Sequence, residues 1–155
     1  MVNFIVCDDK EKYRVLIKDV ITSYMMKNEI EYKIHMFDDY NNTFIKAVES
    51  KMPFKIYILD IETPTRSGID IARIIRNKDV DSVLIFITGH QELSHIVMKN
   101  EFLFLTFINK FDNCEVHLKK AIAKALKVIK TRKTIKFKDG GTIYNINIDD
   151  ILYIL

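Results

Sequence analysis

The chain has 155 residues, 48% hydrophobic and 29% charged, with a formal net charge of +3; that suits one ordinary domain with a core and a small appendage, and excludes a disordered tail. The charge is too mild to argue for nucleic acid by itself, the longest apolar stretch (Phe102 to Ile108) is far short of the roughly 20 residues of a membrane span, and the opening Met1-Val2-Asn3-Phe4-Ile5-Val6-Cys7-Asp8-Asp9 lacks the basic start of a signal peptide. Cys7 and Cys114 show no metal-type pairing and read as ordinary thiols in a reducing cytoplasm.

Asn3 to Cys7 reads as a buried strand. From Lys10 to Lys27, Tyr13, Leu16, Ile17, Val20, Ile21 and Tyr24 recur at the spacing of an amphipathic helix. Tyr32 to Phe37 is a second strand and Tyr40 to Lys51 a second helix, closed by Pro53. Lys55 to Leu59 is a third strand, Gly68 to Arg76 a third helix, and Val83 to Ile87 a fourth strand. A short helix from Glu92 to Met98, a fifth strand from Phe102 to Ile108 and a fifth helix from Glu115 to Lys130 follow. This alternation predicts an α/β fold with a doubly wound parallel sheet of five strands. The nearly continuous apolar character of the last three strands fits a sheet covered on both faces. After Thr131, Ile135-Lys136-Phe137 and Ile143-Tyr144-Asn145-Ile146 flank Asp139-Gly140-Gly141 and predict a β-hairpin.

Folds of this kind bind ligands at the carboxyl ends of their strands. There the sequence places Asp8 and Asp9, Asp60, Thr88 and Lys110, each where an apolar run expires. Crowded carboxylates repel one another unless a cation neutralises them, and an all-oxygen, partly hydrated site suits Mg²⁺. A lysine and a hydroxyl beside them would balance a bound phosphoryl group. Taken singly, Asp8 or Asp9 could cap the first helix, Thr88 could merely end a strand, and Lys110 could be a solvated charge. Together they point to chemistry.

Asp8-Asp9, Ile58-Leu59-Asp60, Ile87-Thr88-Gly89 and Asn109-Lys110 resemble the receiver domain of bacterial two-component response regulators, flavodoxin-like with strand order 2-1-3-4-5. The resemblance spans residues 1–131. It implies that Asp60 accepts a phosphoryl group from a sensor histidine kinase. Asp9, Asp60 and the backbone carbonyl of Glu62 would ligate Mg²⁺, with Asp8 acting through water. Thr88 and Lys110 would hold phosphoryl oxygens, and Phe107 would be the aromatic switch that moves with Thr88, or else simple core packing. Such a domain catalyses its own phosphorylation and dephosphorylation and turns over no external substrate. The family usually has Pro after the lysine, often with a cis bond. Phe111 stands there, so a trans link is expected, since a non-proline cis bond costs about 2.5–4 kcal/mol. Glu62 and His90 each stand two residues beyond a site residue, where they either border the phosphoryl group and alter its loss or are simply exposed loop side chains.

The segment Thr134 to Gly141, followed by Ile148-Asp149-Asp150-Ile151-Leu152-Tyr153-Ile154, resembles the opening of a LytTR DNA-binding domain. The run Phe86-Ile87-Thr88-Gly89-His90-Gln91-Glu92-Leu93 is similar to the accessory gene regulator type of response regulator. Residues 132–155 are therefore expected to be a linker and the first part of a LytTR domain, with DNA reached only through loops beyond Leu155. A transcriptional output is implied, against the alternative of a stand-alone phosphorelay or interaction module. Phosphorylation-linked homodimerisation is implied, and no membrane partner. The basic residues of the fifth helix, Lys119, Lys120, Lys124, Lys127, Lys130, Arg132 and Lys133, read as a solvated face opposite Leu118, Ile122, Leu126 and Ile129 in preference to a stripe that steers the protein to DNA.

Overall fold

Strands β1 (Val2–Cys7), β3 (Lys55–Leu59) and β4 (Val83–Thr88) are buried at every position, as a parallel sheet covered on both faces requires. The computed structural model describes residues 1–100, 103–132 and 134–147. With β2 (Tyr32–Phe37) and β5 (Thr106–Asn109) these strands form one parallel sheet in the order β2-β1-β3-β4-β5. This is the flavodoxin-like order expected. Helices α1 (Glu11–Lys27), α2 (Asn42–Glu49), α3 (Gly68–Lys78), α4 (Ser94–Lys99) and α5 (Cys114–Arg132) fill the connections.

Alternation along each strand divides the core in two. Phe4 and Val6 of β1 and Ile56 and Ile58 of β3 face α1 and α5, where they meet Ile17, Ile21, Leu118 and Ile122. Ile5, Cys7, Tyr57 and Leu59 face the other way, onto Phe44, Val48, Ile71, Ile75 and Val97. Local chemistry sets the helix starts: Asn41 Oδ1 accepts from Phe44 N at 3.1 Å, and Ser67 Oγ from Ile69 N at 3.1 Å. Each such cap contributes about 1 kcal/mol.

Three expected elements change. The fifth strand is shorter and later than Phe102 to Ile108, because its ladder with β4 runs only from Thr106 opposite Ile85 to Asn109 opposite Thr88. Phe104 belongs to the apolar approach instead, its ring 5.6 Å from that of Phe86, edge to face; Phe102 lies outside the described residues. The fourth helix opens as a 3-10 turn, Gln91–Leu93, before α4. The second helix begins at Asn42 rather than Tyr40, because Asn41 caps it.

The hairpin forms as predicted. Strands β6 (Thr134–Asp139) and β7 (Thr142–Asn147) pair antiparallel with Asp139 opposite Thr142. Gly140 and Gly141 both have positive φ, 55° and 90°, the requirement of a two-residue turn that follows strand twist. The Asp149-Asp150-Ile151-Leu152-Tyr153 run lies outside the described residues. Among the described residues no helix is long and apolar enough to cross a membrane.

Candidate functional site

The parallel register brings the strand ends together. Asp60 N donates to Cys7 O at 3.0 Å, Asp8 N to Phe37 O at 3.1 Å, and Lys110 N to Thr88 O at 2.9 Å. Asp8, Asp60, Thr88 and Lys110 are all buried while Asp9 is exposed. The structure thus brings Asp8, Asp9, Asp60 and Lys110 together, while Thr88 adjoins them through the backbone bond that its carbonyl accepts from Lys110. Asp8, Asp9 and Asp60 each present a carboxylate oxygen within 4.8 Å of the others. Lys110 Nζ lies 2.5 Å from Asp8 Oδ2 and 2.8 Å from Asp60 Oδ2, and 4.3 Å from the centre of the Tyr13 ring.

Burial pushes the Asp8 carboxyl above its ordinary value, and the bonds from Lys110 and from Lys10 N only partly offset it. Burial pulls Lys110 down, yet its bonds to Asp60 and Asp8 outweigh this and leave it raised. A cluster of hard carboxylate oxygens that already holds an ammonium ion fits a divalent cation such as Mg²⁺. The helix-cap alternative fails for α1: its N-cap is Lys10, without a side-chain cap bond. Asp8 Oδ1 instead accepts from Lys10 N at 2.9 Å and shapes the turn.

A cleft of about 270 Å³ opens on the cluster, lined by Asp9, Asp60, Glu62, His90, Lys110 and Phe111 among others. Glu62 and His90 border it and also pair, His90 Nε2 to Glu62 Oε2 at 2.8 Å, while His90 Nδ1 reaches Glu92 Oε1 at 3.1 Å. Thr88 lies fully buried behind them, its Oγ1 accepting from His90 N at 3.2 Å. Phe107 is half-buried against the α2–α3–α4 core and borders a separate cavity of about 300 Å³ beside α5. No cis peptide bond occurs among the described residues, so the link from Lys110 to Phe111 is trans as expected, and Lys110 contacts both carboxylates with that link in place. The Phe111 ring is 75% exposed and lies over Gly89, where a Cβ would come 2.9 Å from Cε2. The basic residues of α5 from Lys119 to Lys130 are exposed opposite buried Leu118, Ile122 and Ile129, with Leu126 half-buried.

Sequence reasoning missed three contributors. Tyr13 falls on the apolar positions of α1, but its ring faces the Lys110 ammonium, which a ring quadrupole attracts. Tyr40 is fully buried and donates from its hydroxyl to Asp60 O, while the preceding Asp39 bonds to Thr65. A tyrosine within an apolar pattern is the available signal, because its O–H needs a partner when buried.

The geometry agrees with the comparisons. A sequence model of the family described as "Response regulator receiver domain" matches residues 4–123. Over 159 residues the chain is 27% identical to accessory gene regulator protein A of Staphylococcus aureus, covering 96% of this chain and 66% of that protein. It is 26% identical to the protein of the same name from Staphylococcus epidermidis, with the same coverage. The chain thus spans 66% of the length of these curated relatives. The fold superposes with a TM-score of 0.65 and 24% identity on the response regulator TrrA of Thermotoga maritima, solved in complex with Mg(2+)-BeF, over 81% of this chain and 99% of that one. A CheY-like receiver domain of Methanospirillum hungatei JF-1 gives a TM-score of 0.68 at 17% identity, covering 84% of this chain and 98% of that one. The chain belongs to the response regulator receiver domain family.

Proposed function

We propose that the chain is the phosphoacceptor half of a transcriptional response regulator, with Asp60 as the residue that takes the phosphoryl group from a histidine kinase. The observation that carries this reading is Asp60 itself: a buried carboxylate at the rim of the sheet, beside Asp8 and Asp9, with Lys110 Nζ at 2.8 Å. In the transfer an Asp60 carboxylate oxygen attacks phosphorus in line, the bond from phosphorus to the donor's imidazole nitrogen breaks, and that nitrogen leaves with its electron pair. Lys110 moves its ammonium from the carboxylates to a phosphoryl oxygen. The Thr88 hydroxyl, which accepts from His90 N, donates its own O–H to another phosphoryl oxygen, and Phe107 follows it as the switch. Asp9, Asp60 and the backbone carbonyl of Glu62, with Asp8 behind, would hold Mg²⁺, which would supply charge neutralisation for the incoming phosphoryl group. The Glu62–His90 pair stands at the mouth of the cleft, where it crowds or orients attacking water.

Residues 1–131 act as the receiver and residues 132–155 as the linker and first strands of a LytTR domain. The likeness to accessory gene regulator protein A supports a regulatory output; phosphorylation-linked dimerisation and DNA binding through further residues belong to the same proposal. Incubation with a small-molecule phosphodonor and Mg²⁺ tests the core of the proposal. Wild type is expected to label and Asp60→Asn to remain unlabelled; equal labelling of both, or of neither, overturns it. Decay of the label tests the pair at the mouth: half-lives unchanged in both Glu62→Ala and His90→Ala would discard its role.

A further inference from the structure

Beneath Asp60, the corner between β2 and α2 directs two consecutive side chains at the loop that leaves β3. The Tyr40 hydroxyl, fully buried, donates to the backbone carbonyl of Asp60 at 2.5 Å. Asp39, half-buried, accepts from the backbone N–H of Thr65 at 3.1 Å and also from the Thr65 hydroxyl. The hydroxyl bond foremost holds the Asp39 carboxyl below the ordinary carboxylate range. Residues 39 and 40 therefore grip the loop at two points, Asp60 and Thr65. Between and just beyond them the loop closes on itself. Glu62 pairs with Ser67 in an isolated bridge, Thr63 Oγ1 donates to Arg66 O at 2.8 Å, and Gly68 N donates to Ile61 O at 2.7 Å.

We infer that Asp39 and Tyr40 form a clamp that sets the loop from Asp60 to Thr65 in the shape a divalent cation needs. The inference rests on the proposed function, because it presupposes that cation site. A side-chain oxygen at Asp60 and a backbone oxygen at Glu62 converge on one ion only when the intervening main chain is fixed. If the loop is loose, the cation must order it, and the lost conformational entropy weakens binding. With the clamp in place the ordering is complete before the ion arrives. Both are positioning residues, since neither side chain is among those that line the cleft.

Calorimetric titration of the folded full chain with Mg²⁺ alone provides the test. Tyr40→Phe removes the hydroxyl and keeps the ring that packs edge to face on Phe44, 4.9 Å between centres. Asp39→Ala removes the second grip. Tyr40→Phe is expected to weaken Mg²⁺ binding about threefold to tenfold, the range for one net hydrogen bond, and Asp39→Ala, which removes two, at least as much. If Tyr40→Phe does not fold, Asp39→Ala and Thr65→Val, which act at the exposed end of the loop, carry the test. Wild-type Mg²⁺ affinity in the folded variants, with only their unfolding midpoints lowered, overturns the clamp alone and leaves the bonds as packing. Absence of Mg²⁺ binding by wild type overturns the proposed cation site and the clamp together.

Discussion

Lys110, 8% exposed, holds its ammonium between two buried carboxylates, so its removal leaves like charges facing one another, and breaking a buried pair of this sort costs about 3–5 kcal/mol. Asp8 feels the burial most directly. Its folded pKa is raised by desolvation above 3.8, so the folded protein holds that proton more tightly than the unfolded chain. The stability this adds is fully present below 3.8 and is lost as pH rises through the folded pKa. A cation that favours the ionised carboxylate runs in the opposite sense. The rise in melting temperature produced by a fixed Mg²⁺ concentration is therefore expected to grow with pH across that window. Thermal melts with and without Mg²⁺ from roughly pH 4 to 7, spanning the carboxylate range, check it, and Asp8→Asn should flatten the slope; a pH-independent shift in wild type would contradict it. The carboxylates, Thr88 and Lys110 were legible in the sequence because a parallel sheet sends all its strand ends to one rim. Tyr13, Asp39 and Tyr40 were not, because their work depends on which backbone atom or charge the tertiary packing sets against them.

At the scale of elements, close approach rather than propensity constrains the loops around the site. A Cβ at Gly68, the first residue of α3, would lie 2.2 Å from Asp60 O and 3.0 Å from its carbonyl carbon. Backbone occupies that space, so the start of α3 would have to shift and drag Asp60 with it. Gly68→Ala is expected to destabilise the fold by about 2 kcal/mol or more, the cost of overpacking a well-filled site, and to slow phosphorylation. At Gly89 the obstacle is the Phe111 ring at 2.9 Å, which is exposed and free to swing. Gly89→Ala is expected to change stability by no more than about 0.5 kcal/mol. Urea unfolding of both variants separates these outcomes, and equal midpoints would refute the distinction. Strand β5 starts later than its apolar run because such a run reports packing and not pairing: Phe104 packs its ring on Phe86 and Leu105 joins the core beneath α1 and α5, while the ladder with β4 begins only at Thr106.

At the scale of the molecule, the five-stranded sheet and the β6–β7 hairpin are separate sheets joined by α5. The five-stranded sheet has a core on each face and a buried central strand set. The hairpin exposes Ile143 at 66% and Tyr144 at 44%, and a lone pair of strands is marginal in water. Stability should therefore reside in the receiver. A chain ending at Arg132 is expected to unfold within about 0.5 kcal/mol of the full chain and to label at Asp60 at the same rate. Amides of β6 and β7 should exchange far faster than those of β1, β3 and β4, because opening a two-stranded sheet breaks a single ladder of hydrogen bonds. A loss of about 2 kcal/mol on truncation, well beyond a neutral surface change, or hairpin amides protected as strongly as β3, would show that the hairpin is docked on the receiver. The signal would then pass through that contact as well as along α5. If the receiver is indifferent to the hairpin, α5 is the only link between them among the described residues, and under the proposed function a phosphorylation signal would have to leave through it or through the surface beside β5, where Phe107 sits.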